Sequence, residues 1–151
     1  MHDSPQTLER AGILARIPHQ GASCLLDYLC RWDEHSIVCE TRSHLLPDNP
    51  YRLNGKLLAV CAVEYAAQAF ALHARLKSIE PEATPPMGYL AAVRELQLSV
   101  ATLDTCSGPL TITATELAAE SRALLYAFTV QHKNIVIAQG RATVACPAIL
   151  P

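Results

Sequence analysis

The stretch LLAVCAVEYAAQAFALHARLK, from Leu57 to Lys77, constrains the fold more than any other part of the chain. Wound at 3.6 residues per turn, it places alanines and larger apolar residues on nearly every side. A helix with no face to give to water either crosses a membrane or is wrapped by other elements. The stretch has about the length a bilayer needs, but Glu64, Gln68 and His73 lie inside it and are costly in lipid. We therefore read it as a core helix and not as a membrane span. Asn54 is the candidate N-cap, and Arg75 and Lys77 suit the negative end of the helix dipole.

What wraps the helix is legible in the flanking periodicity. Leu25–Trp32 and Ser36–Arg42 read as two strands joined by a turn at Trp32–His35. LLPDNPYRLNG, with its prolines, asparagines and glycine, is the loop that leads into the helix. SIEPEATPP breaks the helix at its far end. Beyond it the period becomes two: Tyr89–Val100, Leu110–Leu117, Leu124–His132 and Ile135–Cys146 are strand candidates, the last two joined by a short Lys133–Asn134 turn. Short connections imply an antiparallel sheet. One sheet that curls around one apolar helix buries the faces of both, and a second subunit can cover what remains. The expected class is α+β, in a single domain over residues 1–151.

Composition narrows the function. Half the residues are hydrophobic and 17% are charged, a globular balance. The net charge of −2, with no basic run, argues against a nucleic-acid partner. The six cysteines form no CxxC pair and no zinc-spaced set with histidine, which suggests free thiols in a reducing cytoplasm. MHDSPQTLER carries two acids and no apolar centre, so we do not expect a signal peptide there. No GxGxxG, GxxxxGK or HExxH occurs, so neither a metal nor a cofactor is expected.

Three segments, in order, resemble one family. RIPHQGASCLLDYLCRWDEHSIV is similar to the opening of the hotdog-fold β-hydroxyacyl-ACP dehydratases, a Leu-Pro-His segment followed by a strand ending Leu-Leu/Val-Asp. VEYAAQA resembles their central-helix motif, a glutamate with Ala-Gln after it, and GYLAAVRELQLSVATLDTCSGPL resembles the strand and turn that follow. Within that group, NPYRLNGKLLAVCAVEYAAQA is most similar to the dehydratase-like proteins encoded with aryl-polyene pigment biosynthesis. The likeness runs from about Ile17 to Cys146 and implies a hotdog fold, a long central helix wrapped by a curved antiparallel sheet.

The resemblance also implies a chemistry and a partner. Such enzymes remove water from a 3-hydroxyacyl thioester carried on the phosphopantetheine arm of acyl carrier protein, giving the trans-2-enoyl thioester. They work as homodimers in the cytoplasm. A histidine takes the Cα proton, a helix carboxylic acid protonates the leaving hydroxyl, and backbone N–H groups polarise the thioester carbonyl. Glu64 is the corresponding acid, and its apolar neighbours lead us to expect a raised pKa. Gln68, one turn on, is placed to hydrogen-bond it. His44 is the candidate base, although it stands 20 positions before Glu64 (64 − 44), more than the family's usual spacing, and LLPDN replaces the family's Phe-Pro-Gly. His19 matches a family position that is not the base; His35, His73 and His132 fit worse. Gly55 is the candidate for the oxyanion N–H, and an ordinary loop glycine explains it equally well. Arg52 and Lys56 could meet the carrier protein, or form a solvated basic pair. Two other functions stay open: a thioesterase on the same fold, and a catalytically silent partner subunit of a dehydratase.

Overall fold

The computed structural model describes residues 7–78 and 88–146. The elements run β1 (Leu8–Glu9), α1 (Arg10–Leu14), β2 (Tyr28–Trp32), β3 (Ser36–Thr41), α2 (Ala62–Lys77), β4 (Tyr89–Leu98), β5 (Leu110–Glu120), β6 (Ala123–His132) and β7 (Ile135–Ala145). The seven strands form one antiparallel sheet in the order β1-β2-β3-β5-β6-β7-β4. The strands expected from the sequence are all present. Three residues at the start of the first, Leu25–Asp27, stay outside the ladder, and β1 and α1 carried too little periodicity to be foreseen. The proline-rich break expected after the helix falls largely outside the described residues.

The turns follow from local chemistry. Asp33 Oδ1 accepts the N–H groups of His35 and Ser36, each at 2.8 Å, and closes the β2–β3 hairpin. Lys133 and Asn134 both take positive φ (52° and 65°), the geometry of a tight two-residue hairpin between β6 and β7.

Alternation along the strands builds the concave face. Leu110, Ile112 and Ala114 of β5, Tyr126, Phe128 and Val130 of β6, and Ile37 and Cys39 of β3 are buried. They pack on Ala62, Tyr65, Ala66, Ala69, Phe70 and Leu72 of α2. Phe70 stacks on Tyr126 with ring centres 4.5 Å apart. No residue of α2 is fully exposed, as its composition requires. Among the described residues, no helix is long and apolar enough to cross a membrane. His73 sits in the core without strain: its Nε2–H donates to the Asp33 carbonyl and its Nδ1 accepts the Tyr126 hydroxyl, both at 2.8 Å.

The start of α2 departs from expectation. Asn54 does not cap it. The chain first makes a tight turn with Asn54 (φ 52°) and Gly55 (φ 77°) at its tip, then a 3-10 turn at Ala59–Cys61, and Cys61 precedes the α-helix with no side-chain cap. The loop after β4 does the bracing instead. Asp104 Oδ1 accepts the Leu57 N–H at 2.8 Å, Leu103 N–H donates to the Leu57 carbonyl at 2.8 Å, and Ala59 N–H donates to the Ala101 carbonyl at 3.0 Å.

At the far edge of the sheet, among the described residues, β4 pairs only with β7. Tyr89, Leu90 and Leu98 on that strand are exposed, as are Leu53, Leu58 and Val60 ahead of α2. A ten-residue strand with apolar side chains and an unpaired edge is not a surface that a protein leaves bare.

Candidate active site

Glu64 occupies the first turn of α2. Its side chain is 30% exposed and lies against His19, with Oε1 3.5 Å from Nε2. Gln68 Nε2 reaches the same oxygen at 3.4 Å, a long contact, and the Tyr51 hydroxyl also hydrogen-bonds the carboxyl. The expected rise in pKa does not occur. The His19 hydrogen bond, with smaller contributions from Gln68 and Tyr51, outweighs desolvation and holds the carboxyl below its ordinary value. The sequence showed the apolar neighbours on the helix; it did not show the donors that other segments bring. Glu64 is therefore a carboxylate with three donors around it, and burial raises the pKa of Tyr51 beside it.

Gln68 does more than meet Glu64. Fully buried, it accepts the Leu25 N–H at Oε1 and donates to the Ser23 carbonyl from Nε2, both at 2.8 Å. The amide thus fastens the segment Ser23–Leu25 to the helix one turn beyond Glu64. Just ahead of that segment, Gln20 Nε2 donates to the Leu14 and Ile17 carbonyls, and Ile17 is buried in the core. These anchors on either side fix His19 beside Glu64.

His44 has different neighbours. It lies in the 3-10 turn Ser43–Leu45, fully buried, and its Nε2–H donates to the Cys106 carbonyl at 2.8 Å. That bond sets the tautomer: in the neutral ring the lone pair is on Nδ1, which is buried and has no partner among the described residues. Burial lowers the pKa of the ring, against smaller opposing effects of the Cys106 and Gly108 backbone. Among the described residues, the histidine that meets Glu64 within one chain is His19 and not His44. The RIPH segment carried the signal for His19, but only the fold reveals the contact.

Gly55 is a turn residue. Its φ of 77° calls for glycine, and the space around it is open, so no close approach within the chain is needed to explain it. Arg52 braces its own loop: Nε donates to the Leu46 carbonyl, Nη1 to that of Gly55 and Nη2 to that of His44. Neither reading of Arg52 from sequence, as a carrier-protein contact or as part of a solvated pair, anticipated this brace. All six cysteines are free, with Cys24, Cys39 and Cys106 buried.

A long helix bearing a carboxylate, wrapped by one curved antiparallel sheet, defines a hotdog-fold protein. Solved structures with this architecture include a chain of the dehydratase heterocomplex ApeI:P from Xenorhabdus doucetiae, 18% identical, covering 97% of this chain and 93% of that one with a TM-score of 0.78. A thioesterase from Staphylococcus aureus (15% identical, 79% of this chain and 92% of that one, TM-score 0.56) and one from Haemophilus influenzae (14%, 82% and 79%, TM-score 0.56) share it less closely. The chain belongs to the ApeP-like family of dehydratases, whose pattern matches residues 12–150. Comparison with curated proteins finds no match.

Proposed function

We propose that the protein dehydrates a 3-hydroxyacyl thioester carried on acyl carrier protein to the trans-2-enoyl thioester, in the assembly of an aryl-polyene or related acyl chain. The observation that carries this reading is Glu64, a carboxylate in the first turn of the helix that is ringed by proton donors yet 30% exposed to solvent. His44 is the Cα base. Its Nε2–H is tied to the Cys106 carbonyl, so Nδ1 is the atom that would take the proton, and the fully buried ring must open to the substrate before it does so. Gly55 and the turn it shapes lie on the approach to the helix start, where the thioester carbonyl would seek N–H donors.

The site is completed by a second subunit. The unpaired edge of β4, with Tyr89, Leu90 and Leu98, continues the sheet into that subunit. The exposed Leu53, Leu58 and Val60 then line the join or the acyl chain. The isolated chain forms a homodimer; a hetero-assembly is what the similar Xenorhabdus dehydratase is described as forming.

The test is incubation of the pure protein with 3-hydroxyacyl-ACP and, in the reverse direction, with 2-enoyl-ACP and water. Interconversion of the two supports dehydration. Release of free acid supports hydrolysis, a second reading favoured by the ionised state of Glu64, which suits a carboxylate that orients or activates water. Neither product means a silent subunit and overturns the proposal.

A further inference from the structure

A carboxylate held in its ionised form by His19, Gln68 and Tyr51 is a poor source of a proton. Dehydration nonetheless needs one, because hydroxide is a poor leaving group and the C3 oxygen must be protonated as it departs. Of the groups around Glu64, His19 carries an imidazole, the side chain most often used to transfer protons in catalysis. Its Nε2 lies 3.5 Å from Glu64 Oε1 and its side chain is 27% exposed. Its Nδ1 is buried and has no partner among the described residues, and Nε2 is the ring atom turned to Glu64. The Gln20 and Gln68 anchors hold its segment to the core and to α2.

We propose that His19 and Glu64 act as one acid unit, in which the His19 imidazolium, held by the Glu64 carboxylate, gives its Nε2 proton to the departing C3 hydroxyl. The inference rests on the dehydration reading above and assigns a further catalytic residue to it. The base removes the C2 proton. The C2–H electron pair becomes the C2=C3 π bond, the C3–O bond breaks with its pair on oxygen, and that oxygen takes the His19 proton and leaves as water. The base then holds one proton more and His19 one fewer, and exchange with solvent resets both. Glu64 never has to be a neutral acid in this scheme, and Gln68 is a positioning residue, since it fixes the segment and not the reacting atoms.

The experiment compares two substrates on the folded protein: the 3-hydroxyacyl thioester, and the 3-chloroacyl thioester of equal length, whose chloride leaves without a proton. His19→Gln removes the proton but keeps a hydrogen-bonding side chain. The expected result is a fall of about two to three orders of magnitude in the ratio of the hydroxy to the chloro rate, the scale of a lost general acid. His44→Ala should slow both substrates together and leave the ratio unchanged. Equal effects of His19→Gln on both substrates, with the melting curve intact or not, would overturn the inference, because a structural or merely orienting role does not read the leaving group. A wild-type protein that dehydrates no 3-hydroxyacyl thioester overturns the dehydration reading, and this inference falls with it; an active wild type whose ratio survives His19→Gln overturns the inference alone.

Discussion

Replacing Glu64 by glutamine separates chemistry from stability. The amide matches the carboxylate in size and still accepts a hydrogen bond, but it carries no charge to hold a histidine cation. The His19 contact it weakens spans 3.5 Å between side chains 27% and 30% exposed, and even a charged pair that open to solvent contributes at most about 1 kcal/mol. For a chain of this size that is a fall in Tm of about 2–4 °C. Folding free energies of about 5–15 kcal/mol leave the variant almost wholly folded after such a loss. Turnover should respond on another scale: losing the acid unit costs about two to four orders of magnitude, or about 3–5 kcal/mol of transition-state stabilisation. Thermal melting and steady-state dehydration of the same preparation decide the matter. Retention of more than about a tenth of wild-type kcat/KM would refute the role of Glu64 in the acid step. A Tm lowered by more than about 10 °C, with activity reduced in proportion to the folded fraction, would show the carboxylate to be structural.

Gln68→Leu should act in the opposite sense. It orphans the buried Leu25 N–H and the partly buried Ser23 carbonyl, at a cost of about 2–4 kcal/mol, read as a fall in Tm of about 4–16 °C; an unchanged melting curve would show that the clamp is dispensable. His44→Ala should reduce turnover by about two to four orders of magnitude, and full activity in that variant would end its assignment as base. Burial depresses the folded-state pKa of both His44 and His73 below the unfolded value, so the unfolded chain binds more protons below about pH 6.5 and stability falls as pH drops from there. Glu64 adds a loss lower still: its folded pKa is depressed, so its contribution is present above the unfolded carboxyl value and disappears as pH falls through the folded one. A Tm that stays flat between about pH 7.5 and about pH 5 would contradict the histidine argument. Sedimentation at micromolar protein should find a dimer, and a monomer there would remove the second subunit from the proposed site.

Much of this was open to a reader of the sequence, for reasons of local physics. Period two along β5 to β7, the Asp33 and Lys133–Asn134 turns, and a helix with no polar face were enough to require a curled sheet around α2. Each of those signals is a property of neighbours in the chain. Glu64 also stood out, because an acid among alanines is a local anomaly. Its ionisation state was misjudged because the groups that set it are distant in sequence: His19 lies 45 positions before it (64 − 19) and Tyr51 in another loop. The cap foreseen at Asn54 failed for the same reason, since Asp104 and Ala101, beyond β4, brace the segment ahead of the helix instead. Whether a carboxyl holds its proton, which histidine meets it, and what steadies the start of a helix all depend on pairwise energies between remote segments. Periodicity and propensity bring those segments into one fold, but only the packed chain fixes their distances, and electrostatic and hydrogen-bond energies are decided at that scale.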